Sequence, residues 1–247
     1  MKKALVIIPT YNEIENLPKI VGEIFSKTNE NSFGVNFHIV VIDSNSPDGT
    51  GKWAEEKSRS DDRFFCIIRE KKDGLALACF DGFQWGRSNN YDYVFQMDAD
   101  LSHDPKFLLP MLQKLVSENL DCVIGSRFYD RTISVINWPI ERMLLSLMGM
   151  TYLYFILHIP IRDVTGGYKV YTKNAVKVIA DQKLISHGYI FQTEILYRLH
   201  KRGMKMEEYP IIFIDRGYGT SKISKSIILE ALIVPWKLRL KSVFGSS

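Results

Sequence analysis

Two aspartates separated by one residue, Asp98 and Asp100, are the side chains of this sequence with the clearest potential for chemistry. They follow the apolar and aromatic run 91–97, and Asp104 with Pro105 then gives a helix start signal. Two carboxylates so placed at a strand end can share one hard cation, and Mg²⁺ typically takes one or two carboxylates together with substrate phosphate oxygens. An exposed acidic turn would show the same pattern, so the rest of the chain has to distinguish a site from a turn.

The elements that would position this pair alternate along the first half of the chain. Short β-rich runs predict strands at 4–8, 37–43, 64–69, 91–97 and 121–126, and helical patterns lie near 13–27, 48–60, 74–87 and 105–118. The strands are almost continuously apolar, which is typical of a parallel sheet covered on both faces. The predicted fold class is therefore α/β, with a mostly parallel central sheet flanked by helices. Polar residues at 10–13, 43–48 and 98–100 should converge at the carboxyl ends of the strands, where such sheets bind ligands.

Composition and charge exclude several classes of protein. The 247 residues are 46% hydrophobic and 24% charged, which is ordinary for a globular protein, and a net charge of +4 is too small to indicate nucleic-acid binding. The cysteines, Cys66, Cys79 and Cys122, are odd in number and widely spaced, which predicts reduced core thiols. The apolar run 4–9 is too short for a signal peptide, so we expect the catalytic part in the cytoplasm.

The sequence does not match two familiar phosphate-binding motifs. The segment 46–53 approaches a P-loop, but Ser46 stands where the first glycine is required and Trp53 replaces the Ser or Thr that would hold magnesium. No GxGxxG follows the first strand, which argues against a dinucleotide-binding fold. The turn before the second helix offers Asp48 as an N-cap, and Asp43 is either satisfied by loop amides or a ligand to a ribose or base.

Two segments of the second half bear on membranes. Residues 143–161 contain no Lys, Arg, Asp or Glu, but Ser146, Gly149 and Pro160 interrupt them, which favours interfacial helices or a hydrophobic acceptor groove over a membrane span. A buried helical hairpin fits this pattern equally well. The segment 221–247 mixes apolar and basic residues, which indicates an amphipathic segment on an anionic membrane surface, with a solvated basic tail as the alternative.

Ordered motifs along nearly the whole chain resemble the inverting, family 2 glycosyltransferases of the GT-A fold, and among them most of all the dolichyl-phosphate (polyprenyl-phosphate) mannose synthases. In the first half they are Pro9-Thr-Tyr-Asn-Glu13, Val40-Val-Ile-Asp-x-Asn-Ser-Pro-Asp-Gly-Thr50, Met97-Asp-Ala-Asp-Leu-Ser-His103 and Gly125-Ser-Arg127. The likeness continues through Asn137-Trp-Pro-x-x-Arg142, Asp163-x-Thr-Gly-Gly-Tyr168, Gly188-Tyr-x-Phe-Gln-x-Glu194 and Asp215-Arg-x-Tyr-Gly-x-Ser-Lys222. It implies a catalytic domain over 1–220 and a C-terminal segment over 221–247.

The resemblance implies a role for each matching residue. The guanosine part of GDP-mannose would be held by Pro9, Tyr11, Glu13 and Asp43. The donor diphosphate and a Mg²⁺ or Mn²⁺ ion would be held by Asp98, Ala99, Asp100 and Ser102, with Asp98 and Asp100 as the metal ligands. The acceptor phosphate would be met by Arg127, Asn137, Arg142 and Ser146. The expected catalytic residues are Asp100, Arg127, Arg142, Arg216 and Lys222.

The implied reaction moves mannose from GDP-mannose to polyprenyl (dolichyl) phosphate with inversion, at the cytoplasmic membrane surface, with a membrane-anchoring subunit as a further expected partner. The sequence departs from the family pattern at Ser44, Ala76, Gly166 and Lys169, so a polyprenyl-phosphate glucosyltransferase using UDP-glucose is retained as an alternative. A Mg²⁺-dependent phosphohydrolase and a non-catalytic nucleotide-sugar-binding subunit are the remaining alternatives.

Overall fold

A central seven-stranded sheet dominates the computed structural model, which describes residues 1–29, 34–130, 132–215 and 225–244. Its strands are β1 (Lys2–Thr10), β2 (Val35–Asp43), β3 (Phe64–Ile68), β4 (Tyr93–Gln96), β5 (Cys122–Ser126), β7 (Lys169–Thr172) and β8 (Met206–Pro210). Their spatial order is β3-β2-β1-β4-β7-β5-β8. Strand β7 runs antiparallel to both β4 and β5, and the other pairs are parallel, which confirms the predicted mostly parallel α/β class. Two short strands, β6 (Val135–Ile136) and β9 (Phe213–Ile214), pair with each other in parallel.

Helices cover both faces of this sheet. They are α1 (Leu17–Thr28), α2 (Thr50–Ser60), α3 (Leu75–Ser88), α4 (Leu108–Ser117), α5 (Ile140–Leu157), α6 (Lys173–Ala180), α7 (Phe191–Lys201) and α8 (Lys225–Phe244), with a 3-10 turn at Pro105–Phe107 before α4. Each strand and helix predicted for the first half is present. Helix α1 begins later than expected because residues 13–16 form a turn, in which Glu13 O accepts the N–H groups of Asn16 and Leu17, and a proline stands in the first helical turn.

The core has two layers, one on each face of the sheet. Strand β1 shows why its sequence lacks alternation: Leu5 and Ile7 face the layer that contains α3, α6 and α7, whereas Val6 and Ile8 face the layer that contains α1 and α4. All four side chains are fully buried. Two-sided burial requires apolar residues at successive positions, as expected for a parallel sheet between helical layers.

The apolar segment after β6 forms one helix, so the hairpin alternative for residues 143–161 is wrong. Helix α5 buries Leu153, Ile156 and Leu157 and exposes Met148 and Phe155, each 69% accessible. Among the described residues, α5 is the one helix that is long and apolar enough to cross a membrane. Core helices of soluble proteins can be equally long and apolar, but only 22% of α5 is buried.

Helix α8 packs against the catalytic part at two tyrosines. Tyr152 of α5 donates its hydroxyl hydrogen bond to Leu232 O at 2.6 Å, and the hydroxyls of Tyr197 and Ser242 are hydrogen-bonded at 2.6 Å. The helix continues through Pro235. The expected boundary between residues 220 and 221 lies outside the described residues.

Candidate active site

The predicted donor residues follow the carboxyl ends of adjacent parallel strands. Thr10 at the end of β1 is paired in register with Asp43 at the end of β2, and Ile7 of β1 is paired with Gln96 at the end of β4. The segments 11–14, 44–50 and 97–103 therefore leave the sheet side by side, at the edge where open α/β sheets bind ligands.

Asp43 is fully buried and its carboxylate joins two of these segments. Oδ1 accepts the hydroxyl groups of Thr10 at 2.8 Å and Ser46 at 2.6 Å, and Oδ2 accepts the Ser46 N–H at 2.8 Å. A Cβ added to Gly51 in α2 would lie 2.9 Å from Oδ2, so the first turn of α2 packs closely against the carboxylate. These contacts match the loop-satisfied reading of Asp43, and its contact with the nucleoside stays a prediction.

The segment after β1 is hydrogen-bonded to the segment after β2. The backbone N–H groups of Asn12, Glu13 and Ile14 donate to Ser46 Oγ (2.9 Å), Thr50 Oγ1 (2.9 Å) and Asp48 Oδ2 (3.2 Å), respectively. Burial raises the pKa of the Asp48 carboxyl, but the hydrogen bonds that it accepts from Thr50 and Ile14 outweigh this, and the pKa is lowered. The predicted N-cap is displaced by one residue, because Gly49, at φ +95°, occupies the N-cap of α2.

A lysine that the sequence did not single out lies on a predicted donor residue. Lys72 Nζ is 3.6 Å from the centroid of the Tyr11 ring, within cation–π distance. Lys72 follows β3, whose carboxyl end lies at the same edge of the sheet. Its position just after a predicted strand was the feature of the sequence that could have identified Lys72 as a candidate site residue.

The turn after β4 holds Asp98 and Asp100 at the sheet edge. Asp100 Oδ1 accepts the N–H of Ser102 at 2.9 Å and also its hydroxyl hydrogen. Leu101 takes a left-handed conformation, at φ +65°, which lets the chain turn back between Asp100 and Ser102. The Asp98 side chain is 34% exposed and Ala99 is buried. The turn therefore orients one carboxylate through Ser102 and leaves the other accessible.

His103 supports this turn from inside the protein. Its Nδ1 accepts the Asp98 N–H at 3.0 Å, so the ring proton is on Nε2, and the ring stacks on Tyr168 with centroids 5.0 Å apart. Burial lowers the pKa of the imidazole despite the opposing charges of Asp98 and Asp100, so the ring is neutral at pH 7. Its hydrogen bond is structural.

The Asp98–Asp100 turn fits a hard divalent ion that takes most of its ligands from elsewhere. Within the described ranges no group of three or more His, Cys, Asp or Glu side chains is arranged to hold a metal. Mg²⁺ in nucleotide sites commonly uses one or two carboxylates, with phosphate oxygens and water completing the shell. Two aspartates beside a diphosphate meet that requirement.

The segment 166–167 approaches Asp98 closely and is fixed by a buried lysine. A Cβ on Gly167 would lie 3.5 Å from Asp98 Oδ2 and 3.3 Å from His103 Cε1. Lys169 Nζ donates to Gly166 O and, at 2.6 Å, to Gln192 Oε1. Burial lowers the pKa of Lys169 to about 8. Lys169 was noted as a departure from the family pattern, and here it orders the segment beside Asp98.

Arg127, predicted to bind the acceptor phosphate, forms a buried ion pair. Its Nε and Nη2 donate to the two carboxylate oxygens of Asp163 at 2.7 and 2.6 Å, and Nη2 also donates to Thr165 Oγ1 at 2.9 Å. Nη1 takes no part in these bonds. Burial raises the pKa of Asp163, but Arg127 outweighs this and the pKa is lowered. Asp163 stood in a recognised motif, yet its role as the partner of Arg127 required the structure.

Arg142 and Arg127 both lie close to one indole ring, that of Trp138. The Arg142 guanidinium is 4.4 Å from the Trp138 ring centroid and it pairs with Asp215, while the Arg127 guanidinium is 5.3 Å from the same ring. Trp138 therefore brings the two predicted acceptor arginines into one cluster. Trp138 stood in a recognised motif, but its contact with both arginines required the structure.

The remaining predicted acceptor residues differ in how far the structure describes them. Asn137 is exposed, with φ +65°, just before α5, and Ser146 is partly buried, one turn after Arg142 in that helix. Arg216 and Lys222 lie outside the described residues. The roles assigned to all four stay predictions.

The chain resembles known proteins over most of its length. The family model described as "Glycosyl transferase family 2" matches residues 5–180. The chain is 40% identical, over 96% of its length and 88% of the relative's, to a polyprenol monophosphomannose synthase of Mycolicibacterium smegmatis. It is 37% identical, over 94% of its length and 91% of the relative's, to an undecaprenyl-phosphate mannosyltransferase of Micrococcus luteus.

Solved structures with low sequence identity share the fold. Mannosyl-3-phosphoglycerate synthase from Rubrobacter xylanophilus superposes with a TM-score of 0.68 at 16% identity, covering 100% of this chain and 76% of that one. Glucosyl-3-phosphoglycerate synthase from Mycobacterium tuberculosis, solved with Mn²⁺, UDP-glucose and phosphoglyceric acid, gives 0.66 at 16% identity and covers 96% and 80%. With its family model, its relatives and its fold in agreement, the chain belongs to glycosyl transferase family 2 and is a glycosyltransferase of the GT-A fold.

Proposed function

We propose that this glycosyltransferase transfers mannose from GDP-mannose to a polyprenyl phosphate, with inversion at C1, giving a polyprenyl phosphate mannose. The observation that carries the proposal is the match, over nearly the full length, to two relatives named for mannosyl transfer to polyprenyl lipids. The proximity of acidic and basic side chains supports it as well, because Phe213 contacts both His103, which lies beside Asp98, and the Arg127 guanidinium.

The chemistry needs little more than alignment and charge control. A phosphate monoester is already anionic near pH 7, because its second pKa is about 6, so the acceptor needs no strong base. One oxygen of the lipid phosphate forms a bond to C1 while the bond from C1 to the donor diphosphate breaks, and GDP leaves with the electron pair. A single displacement of this kind inverts the configuration at C1.

The acidic and basic parts of the site would divide this work. Asp98 and Asp100 would hold Mg²⁺ or Mn²⁺, which neutralises charge on the leaving diphosphate when it is bound. Arg127 and Arg142 would meet the attacking phosphate, and guanidinium groups suit this because they stay charged and donate charge-assisted hydrogen bonds to phosphate oxygens. Asp163 and Asp215 pair with these guanidinium groups, so both arginines would be oriented before the substrate binds.

The lipid acceptor gives the exposed apolar side chains of α5 and α8 a role. We propose that these helices rest on the cytoplasmic surface of the membrane, where the polyprenyl chain is dissolved, with a membrane-anchoring subunit as a further candidate partner. Exposed residues such as Met148 and Trp236 would enter the interface, and Lys237 and Lys241 would favour anionic headgroups.

A donor screen tests the whole proposal. Purified protein is incubated with GDP-mannose or UDP-glucose, a short polyprenyl phosphate and Mg²⁺ or Mn²⁺; the lipid product is identified by mass spectrometry and its anomeric configuration by NMR. We expect β-mannosyl phosphate lipid from GDP-mannose. A glucosylated lipid from UDP-glucose alone would overturn the donor, retention would overturn the single displacement, and phosphate release or nucleotide binding without lipid product would overturn the reaction.

A further inference from the structure

Helix α8 carries a carboxylate that binds backbone rather than a basic side chain. Glu230 is the only acidic residue between positions 216 and 247, where six residues are basic. Its Oε1 accepts the N–H of His187 and its Oε2 accepts the N–H of Gly188 at 2.9 Å. A carboxylate that accepts two consecutive N–H groups makes charge-assisted hydrogen bonds, which are stronger than neutral ones.

A second carboxylate holds the preceding half of the same loop. Glu194 of α7 is fully buried and accepts the N–H groups of Ile185 at 2.9 Å and Ser186 at 2.9 Å. Four consecutive N–H groups, from residues 185–188, are thus held by two glutamates. One glutamate comes from the core and the other from a helix whose outer side chains are exposed.

The carbonyl side of this loop faces the donor edge of the sheet. His187 O accepts the N–H of Ala76 at 3.4 Å, and it lies 2.9 Å from the position of a Cβ on residue 74. Only glycine fits there, since Gly74 also has φ +121°. Two residues earlier, Lys72 covers the ring of Tyr11. Contacts therefore run from Glu230 through His187 and Gly74 to the predicted nucleoside site.

We propose that Glu230 is a positioning residue that couples the seating of α8 on a bilayer to the affinity of the donor nucleotide site, an inference that rests on the proposed function. The outer residues Leu229 and Trp236 are more than half exposed, so a bilayer would restrict the helix that carries Glu230. Fixing Glu230 fixes the 185–188 loop and, through His187 O, the start of α3. Because coupling of two sites is reciprocal, bound nucleotide strengthens the seating of α8 by the same factor.

The test compares GDP affinity with Mn²⁺ present, by calorimetry, with and without vesicles of equal parts phosphatidylglycerol and phosphatidylcholine. In the wild type we expect vesicles to tighten GDP binding about fivefold or more, the lower end of usual couplings. Glu230→Ala should abolish this vesicle effect while vesicle flotation is retained, and Glu230→Gln, which keeps one accepting oxygen, should restore part of it. In turnover assays the loss should appear in the donor KM rather than in kcat.

A second variant reaches the same contact from the loop. A Cβ on Gly188 would lie 2.6 Å from Glu230 Oε2, so Gly188→Ala should displace the carboxylate and lose the vesicle effect too. It should add nothing in the Glu230→Ala background. Tyr197→Phe is the matched control, because it removes a hydrogen bond between α8 and α7 without touching the loop, and it should keep the coupling.

The outcomes separate this inference from the proposed function. The coupling is overturned if vesicles do not change the GDP affinity of the wild type, or if Glu230→Ala keeps the full vesicle effect. Either result leaves the transferase assignment intact. If the wild type forms mannosyl lipid but Tyr197→Phe loses the vesicle effect as fully as Glu230→Ala does, α8 packing in general is responsible, and the role of Glu230 is overturned. Failure to bind GDP or to transfer mannose overturns the proposed function, and the coupling with it.

Discussion

Asp43 and Asp98 follow strands that both flank β1, but the protein surrounds their carboxylates differently. Asp43 is fully buried and accepts hydrogen bonds from Thr10 and Ser46, so its bonding capacity is largely used within the protein. Asp98 is one-third exposed beside Asp100, in a turn whose backbone is held by His103. In the proposed function, the first carboxylate would therefore shape the donor pocket, whereas the second, which is one-third exposed, would contact a metal and a diphosphate.

Replacing either aspartate of the proposed metal site tests this division. We expect Asp98→Asn and Asp100→Asn to lower kcat/KM by roughly 100-fold to 1,000-fold, the factor for a metal contribution of several kcal/mol. Both should also lose the Mn²⁺-dependent part of GDP binding in calorimetry. Ser102→Ala, which removes an orienting hydroxyl and keeps both carboxylates, should cost about 10-fold to 100-fold. Aspartate variants with wild-type turnover would contradict the metal assignment.

The buried pair of Arg127 and Asp163 predicts a large stability effect. Asp163→Asn removes the charge opposite a guanidinium that is 11% exposed, and losing one member of such a pair costs about 3–5 kcal/mol. We expect that decrease in the free energy of unfolding from urea titration at pH 7. Thr165→Ala, which removes one hydrogen bond to Arg127, should cost about 1 kcal/mol.

The same pair predicts the direction of a pH effect. The pKa of Asp163 is lowered in the folded protein, so the unfolded state binds the proton more readily. The stabilisation is complete above the ordinary Asp pKa of about 3.9 and is lost as the pH falls through the lowered folded value. Urea midpoints between pH 7 and 3 should therefore fall less steeply in Asp163→Asn than in the wild type, and parallel curves would contradict this.

At the scale of elements, the first turn of α2 packs against Asp43, which belongs to the proposed donor site. Gly51→Ala would place a Cβ 2.9 Å from Asp43 Oδ2 and 3.1 Å from Ile68 Cδ1, and overpacking of this kind typically costs about 1–3 kcal/mol. We expect the donor KM to rise roughly fivefold or more, with kcat nearly unchanged, because donor binding is affected before the chemical step. Steady-state kinetics over a range of GDP-mannose concentrations measures both.

A second glycine provides the matched control for this substitution. Gly22 lies in α1 with nothing within 4 Å of an added Cβ, so Gly22→Ala should leave the donor KM unchanged and stabilise the protein by about 0.5–1 kcal/mol. An equal rise of KM in both variants would mean that Asp43 is not responsible.

The elements that position the site were predictable because their signals are local. Runs such as 37–43 are apolar at successive positions, and the polar residues that end them could be assigned to one edge of a parallel sheet before any coordinates. The antiparallel β7, the pairing of Arg127 with Asp163 and the contact of Lys72 with Tyr11 depend on tertiary packing between distant segments. No periodicity records such contacts. The N-cap of α2 is Gly49 rather than Asp48, and Asp48 accepts the N–H groups of both Thr50 in that helix and Ile14 in another loop, a contact that local sequence does not reveal.

At the scale of the whole molecule, one side of the sheet is covered by helices with exposed apolar faces. The layer that contains α5 and α8 also contains α3, α6 and α7, whereas α4 covers the opposite face. The exposed apolar side chains include Ile140, Leu144, Leu145, Met148, Tyr154 and Phe155 of α5 and Ile228, Leu229, Leu232, Ile233, Trp236 and Leu240 of α8. A concentration of this kind on two packed helices marks an interaction surface, and the proposed lipid-linked acceptor would make the bilayer its occupant.

Polar substitutions on α5 should therefore weaken membrane binding without unfolding the protein. Leu145, Met148 and Phe155 are each more than half exposed, so the triple change to glutamine should alter stability little. Burying such a side chain contributes about 1.5–3 kcal/mol, so losing even one whole contribution predicts at least about a 10-fold drop in partitioning to anionic liposomes, measured by flotation. Raising the salt concentration should weaken wild-type binding further, because charges such as Lys237 and Lys241 are screened. Val116→Gln on α4 is the control: it is an exposed apolar residue on the opposite side of the sheet, and an equal loss in that variant would contradict an α5–α8 membrane face.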